Sequence, residues 1–494
     1  MVPDPFPTPP LPTGVVIQMQ RRTKIVATIG PASSSPEILE RMILAGMDMA
    51  RLNFSHGTEA DHRARVETIR TLAKKLGRTV GILGDLQGPK IRVGKFQDNK
   101  ILLQAGATFI LDADCPLGNQ ERVGLDYKEL PQDVHPGDAL LLDDGKIELC
   151  VTTVIGNEVH TIVIQGGTLS NNKGINRRGG GLTAPALTDK DREDIKLAAR
   201  LKVDYLAVSF PRSGADMDQA RALLTAAGGQ AQLQAKIERA EAIDALEDII
   251  AASDSIMVAR GDLAVEVGDA AVPALQKRMI RLARQMNKTI ITATQMMESM
   301  ISSPVPTRAE VSDVANAVLD GTDAVMLSAE SAAGQYPVES IAAMARVCTE
   351  AEKQEMLPTV ERGAFDPVDR IEKAVARAVI HTTRHLNVKA VAALTQSGTT
   401  ALLISRSDTP VPIYAMTPSE ETQQRTTLYR GVYPVTFHHS HLEPAAVIAE
   451  AEAVLLKMGA IVEGDLMLLT MGEPIGKAGG TNTMKIIRVG EHTA

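Results

Sequence analysis

Tryptophan is absent from this chain, and aromatic residues make up only 3% of it. The usual base-stacking platforms for single-stranded nucleic acid are therefore missing. Net charge is −8 and no long basic cluster occurs, which argues against nucleic acid or an anionic membrane as the main partner. A local basic pocket for phosphates stays compatible with that charge. Cysteine is scarce: Cys115, Cys150 and Cys348 lie far apart and are odd in number, so no disulfide framework or cysteine zinc site is expected. A reducing cytoplasm is the expected setting. No apolar run approaches membrane-spanning length. The opening MVPDPFPTPPLPTG lacks the apolar stretch of a signal peptide, and residues 1–20 are expected to be a disordered or polyproline lead-in.

What is present is ordinary globular composition, 44% hydrophobic and 23% charged, over 494 residues, enough for two to four domains. From residue 23 strand and helix patterns alternate. Strands are expected at 24–29, 48–53, 80–85, 203–209, 232–238, 254–259, 289–294 and 323–328, each followed by a helical pattern. Eight βα units predict a TIM (β/α)8 barrel, with parallel strands and active-site groups at their carboxyl ends. The rhythm breaks from about 93 to 184, where short alternating runs punctuated by Gly, Asp and Asn read as a small all-β domain inserted into a loop. The expected division is a barrel from 21–92 and 185–354, an inserted β-barrel lid at 93–184, and an open-sheet α/β domain at 355–494.

The stretch 232–267, QLQAKIERAEAIDALEDIIAASDSIMVARGDLAVEV, carries the densest chemistry. In an extended strand Lys236 and Glu238 point to one side and Ile237 to the other. The next apolar run stops at Arg260-Gly261-Asp262. A lysine, a glutamate and an aspartate converging there can hold a divalent cation and a phosphate together; alternatively, Lys236–Glu238 is a solvated pair and Arg-Gly-Asp a turn. The expected strand ends also bring Arg51, Asn53, Ser55, Asp85, Thr294 and Ser328 to the same rim. Random surface decoration does not concentrate polar groups in this way. In the last domain, TQSGTT at 395–400 precedes a helical run and is a weak candidate for a phosphate cradle.

Several long motifs, RLNFSHG (51–57), GDLQGPKIRVG (84–94), AKIERAEAI (235–243), IMVARGDLAVE (256–266), ATQMMESMI (293–301) and PTRAEVSDVANAVLDGTDAVMLSAESA (306–332), resemble those of the pyruvate kinase family. The resemblance runs from about residue 21 to the end. It implies phosphoryl transfer from phosphoenolpyruvate to ADP, giving pyruvate and ATP, with Mg²⁺ or Mn²⁺ on Glu238 and Asp262. It further implies that Lys236 stabilises the moving phosphoryl group and that Arg51 and Arg92 hold phosphates. Amides around Gly261 and Asp262 would take the substrate carboxylate, and Thr294 would serve the proton relay to the enolate, with Ser328 lining the same network. Asn53, His56 and Lys173 join Arg51 and Arg92 as nucleotide contacts. His56 has no sequence partner for acid–base work, and a structural role suits it better. Asp144 and Lys173 are candidates for lid contacts across the cleft, or plain turn residues.

Potassium-dependent members of the family place K⁺ on positions equivalent to Asn53, Ser55, Asp85 and the Leu86 carbonyl, and carry glutamate where this chain has Lys90. The departure predicts an enzyme that does not require K⁺, the Lys90 ammonium supplying the charge; in the alternative, Lys90 points to solvent and K⁺ still binds. The resemblance also implies an effector site on Thr395, Ser397, Gly398, Thr399 and Thr400. The missing tryptophan weighs against fructose 1,6-bisphosphate and leaves AMP or a sugar phosphate. A homotetramer is the usual family assembly. Two rivals are a barrel doing carbon–carbon chemistry on phosphoenolpyruvate or pyruvate, and a silent sugar-phosphate sensor. The first would not need the lid; the second would be expected to lack some of Lys236, Glu238, Asp262 and Thr294.

Overall fold

The computed structural model describes residues 21–354, 369–407, 409–441, 443–475 and 479–491. The proline-rich lead-in 1–20 and the junction expected near 355 lie outside the described residues. The described residues form two compact units, one of Thr23–Gln354 and the other of the described residues from 369 onward together with Arg21 and Arg22.

The first unit is built on eight parallel strands: β1 (Lys24–Thr28), β2 (Met49–Asn53), β3 (Gly81–Asp85), β4 (Tyr205–Val208), β5 (Gln232–Ile237), β6 (Ser255–Ala259), β7 (Thr289–Ala293) and β8 (Ala324–Leu327). They close into a barrel in sequence order, with Lys24 opposite Ala324 sealing β1 to β8. Strands β3, β4, β6, β7 and β8 are buried at every position, as expected for strands packed between a barrel interior and an outer layer of helices. This burial explains why they read as apolar runs rather than alternating ones.

Local signals set the helix starts. Thr58 with Asp61, Thr188 with Asp191 and Thr307 with Glu310 each form a reciprocal capping box, so the chain turns sharply from a rim loop into a helix. Gly46, at φ 118°, ends the helix Pro36–Ala45 and returns its amide to that helix's last carbonyls.

At the amino-terminal rim an aspartate precedes every second strand and accepts a hydrogen bond from the neighbouring strand. Asp48 takes Ile25 N (2.8 Å), Asp204 takes Ile82 N (2.7 Å), Asp254 takes Leu233 N (2.8 Å) and Asp323 takes Ile290 N (3.0 Å). The four carboxylates thus fasten β2 to β1, β4 to β3, β6 to β5 and β8 to β7 near their amino-terminal ends.

Between β3 and β4 the chain leaves to form the inserted β domain. A six-stranded sheet and a two-stranded ribbon enclose one apolar core that includes Phe109, Leu111, Leu140, Leu149 and Val163. The second unit has a five-stranded sheet of β9 (Val388–Leu394), β10 (Ile413–Thr417), β11 (Val432–Thr436), β12 (Leu466–Gly472) and β13 (Thr481–Arg488). Its order is β11-β10-β9-β12-β13, all parallel except the edge strand β13. Among the described residues no helix is long and apolar enough to cross a membrane.

Candidate active site

The carboxyl-terminal rim of the barrel gathers the charges that the sequence pattern places there. Lys236, near the end of β5, projects its ammonium into a buried cluster. It lies 2.8 Å from Glu238 Oε1 and 3.4 Å from Asp85 Oδ1, and both carboxylates are 1% exposed. Arg51, at β2, donates to Asp85 Oδ2 (2.6 Å) and to Thr28 Oγ1 (2.9 Å). The solvated-pair reading of Lys236 and Glu238 therefore fails on burial.

The electrostatics follow from this packing. Burial would push the Asp85 carboxyl up, but the Lys236 and Arg51 cations outweigh it and hold Asp85 below the usual carboxylate range. Burial would likewise lower the Lys236 ammonium; Asp85 and Glu238 reverse that and raise it, so Lys236 stays charged. Glu238 is different. Burial pushes it up to about 7; Lys236 opposes the rise, and the nearby Asp262 carboxylate adds to it.

Asp262 sits in the first turn of the helix Arg260–Val267, which starts where β6 ends. With Glu238 it offers two carboxylates in one place. Among the described residues no group of three or more His, Cys, Asp or Glu side chains is arranged to enclose a metal. Two carboxylates, completed by water and substrate oxygens, is the donor set Mg²⁺ ordinarily takes, and a cation there would relieve the charge repulsion that raises Glu238. The residues present fit a divalent metal.

Thr294 and Gln295 follow β7 with left-handed backbones, φ 64° and 54°, a costly conformation for a β-branched residue. Three hydrogen bonds hold it. The Thr294 hydroxyl accepts from Gly261 N (2.8 Å) and donates to Ala293 O (2.6 Å). The buried Arg260 guanidinium donates to Thr294 O (2.7 Å) and is anchored on Asp313 (2.8 Å). Thr294 is consequently tied to the Gly261–Asp262 turn across the cleft floor rather than filling a barrel layer.

Lys90 turns inward: its Nζ donates to Asp262 Oδ1 (3.2 Å) and comes within 4.0 Å of Asp144 Oδ1 in the inserted domain. The alternative in which it points to solvent loses its basis. The positions compared with a monovalent-cation site are partly engaged already. Asn53 Oδ1 accepts from Ser55 N (3.0 Å), and Leu86 O accepts from the Ser209 hydroxyl (2.8 Å).

Other residues sit less centrally. Arg92, at the last barrel position before the inserted domain, donates to Asn172 O in that domain (3.1 Å), and Lys173 pairs with Asp143 inside it (2.7 Å). His56 is exposed on the loop after β2. Ser328 follows β8 and gives its amide to Glu330 (2.7 Å). In the second unit Thr395, Ser397, Thr399 and Thr400 line a cleft with Gln396 and His439. The turn there is braced by Gly398 N on Thr395 Oγ1 (2.9 Å). Inspecting strand ends for charge misses Ser209 and finds Arg260 without its role. Ser209 is a small neutral residue in the apolar run VSF, and Arg260 matters only because of a backbone conformation that threonine does not advertise.

A closed eight-stranded barrel with this charged cluster at its carboxyl rim has the architecture of an enzyme active site. The family models named "Pyruvate kinase, barrel domain" and "Pyruvate kinase, alpha/beta domain" match residues 20–341 and 373–487. Pyruvate kinase II of Salmonella typhimurium is 54% identical over 479 residues, covering 95% of this chain and 99% of the relative. The pyruvate kinase of Haemophilus influenzae is 55% identical over 458 residues, covering 92% and 96%. That of Sporosarcina psychrophila is 43% identical over 475 residues, covering 95% and 81%. The chain belongs to the pyruvate kinase family, and it is a phosphotransferase.

Proposed function

We propose that the Lys236–Glu238–Asp262 rim carries out the glycolytic reaction of its family, moving the phosphoryl group of phosphoenolpyruvate to ADP and leaving pyruvate and ATP. The observation that carries this reading is a permanently charged lysine held beside the carboxylate pair Glu238 and Asp262. Phosphoryl transfer asks mainly for positioning and for neutralisation of charge on the moving group. Lys236 supplies a mobile point charge for that group, and Arg51 adds a second cation from β2. A bound Mg²⁺, or Mn²⁺ in its place, supplies Lewis-acid polarisation of phosphoryl and enolate oxygens. Glu238 and Asp262 are the residues that hold it.

Backbone amides at Gly261 and Asp262 orient the substrate carboxylate. Thr294 serves the proton delivery that turns enolate into pyruvate; a threonine is a poor acid alone, so its hydroxyl orders a water chain. Arg92, Lys173, Asn53 and His56 face the nucleotide when the inserted domain, 93–184, closes over the cleft and excludes water. The Thr395–Thr400 cleft takes a phosphorylated effector, AMP or a sugar phosphate, and the assembly is a cytoplasmic homotetramer.

Lys90 is the resident cation that makes K⁺ dispensable; its contact with Asp262 supports this reading. Pyruvate formation from phosphoenolpyruvate and Mg·ADP, followed in potassium-free buffer and again with KCl, tests it. Equal rates are expected. A rate that appears only with KCl removes the role of Lys90, and no rate in either buffer removes the catalytic reading itself.

A further inference from the structure

The Lys236 ammonium has three N–H bonds to direct, and the structure accounts for three partners. Two are the carboxylates of Glu238 and Asp85. The third is neutral: Lys236 Nζ donates to the Ser209 hydroxyl at 2.8 Å. Ser209 lies just past β4 and is 1% exposed. Its own proton is committed elsewhere, because the hydroxyl donates to Leu86 O at 2.8 Å. With that proton fixed, the oxygen lone pairs face the ammonium, and Ser209 acts toward Lys236 as an acceptor of one orientation.

The surroundings leave the hydroxyl little freedom. A Cβ on Gly88, whose φ is +68°, would come within 2.6 Å of Ser209 Cβ, so the Gly88-Pro89 turn packs directly on this residue. The next residue, Phe210, has a left-handed backbone at φ 56° and gives its amide to Glu238 Oε2 at 2.9 Å. Two consecutive residues after β4 therefore hold Lys236 and Glu238 separately.

We infer that Ser209 is a positioning residue for phosphoryl transfer, orienting the Lys236 ammonium without neutralising it. The inference rests on the role proposed above for Lys236. The ammonium is held by one hydrogen bond, to Ser209, and by ion pairs with Glu238 and Asp85. Were Glu238 to hold a divalent cation, the Ser209 hydroxyl would still fix the direction of the ammonium beside its ion pair with Asp85. A third carboxylate in place of Ser209 would hold the ammonium as firmly but cancel the charge it must present. A hydroxyl holds direction and spares charge.

The test compares two reactions of one purified enzyme: phosphoryl transfer from phosphoenolpyruvate to Mg·ADP, and metal-dependent exchange of pyruvate methyl protons with D₂O. Exchange uses the metal and the proton relay but moves no phosphoryl group. For Ser209→Ala the ratio of transfer to exchange is expected to fall about tenfold, the scale of one charge-assisted hydrogen bond. Ser209→Thr, which keeps the hydroxyl, is expected to restore most of the ratio. An unchanged ratio for Ser209→Ala overturns the inference, as does a parallel loss of both reactions that Ser209→Thr fails to rescue. Lys236→Met separates the two readings. If it keeps phosphoryl transfer, the role of Lys236 falls and the inference with it. If it loses transfer while Ser209→Ala does not, only the inference on Ser209 falls.

Discussion

The two rims of the barrel use carboxylates in opposite ways. At the amino-terminal rim Asp48, Asp204, Asp254 and Asp323 each accept a backbone N–H from the adjacent strand. At the carboxyl-terminal rim Asp85, Glu238 and Asp262 are set against Lys236, Arg51 and Lys90, with charges facing one another. The first arrangement satisfies strand ends that would otherwise be short of partners, and it asks nothing of a ligand. The second keeps a carboxyl, Glu238, far from its ordinary pKa. One end of the barrel uses its acids to hold strands in register, while the other concentrates opposed charges at the rim where the catalytic role is proposed.

The largest effect that sharpens this contrast is on stability. Asp204→Ala leaves the buried Ile82 amide without its acceptor. It is expected to cost about 1–3 kcal/mol of unfolding free energy in urea, with turnover per folded molecule unchanged. A loss of turnover at full stability would place chemistry at the wrong rim.

A smaller effect concerns pH at the opposite rim. Burial raises the Glu238 carboxyl in the folded state to about 7, from an ordinary value of 4.5. A raised carboxyl contributes stability that is fully present below about 4.5 and is lost as pH climbs through about 7. Metal binds the ionised form, so the sign for metal is the reverse. Mg²⁺ affinity is expected to rise about tenfold per pH unit below 7 and to level off above it, with a proton released on binding. Isothermal titration between pH 5.5 and 8 reads this directly. A flat affinity, or a slope that survives in Glu238→Gln, contradicts the assignment of Glu238 as ligand.

Much of this architecture is legible in the sequence because parallel barrel strands are buried on both faces. IMVARGD and TIITATQ announce both the strand and the place where it stops, and Lys236 with Glu238 show their shared face by spacing alone. The chemistry of Lys90 becomes legible only beside the family pattern, since one lysine in a turn has no intrinsic meaning. Arg260 is hidden because its partners are carbonyls of a left-handed Thr294–Gln295 turn, and nothing in those side chains signals positive φ. The four amino-rim aspartates are hidden for another reason. An aspartate before a strand looks like a loop residue until the neighbouring strand, tens of residues away, supplies its N–H. Lys173 is legible as a basic residue but not in its partner, Asp143.

The most direct measurement applies one exchange to both rims: Asp262→Ala and Asp323→Ala, each assayed for pyruvate formation per folded molecule and for its unfolding midpoint. The account predicts that Asp262→Ala abolishes turnover with little change in midpoint, and that Asp323→Ala lowers the midpoint with turnover kept. Turnover retained in Asp262→Ala, or lost in a fully stable Asp323→Ala, would contradict it.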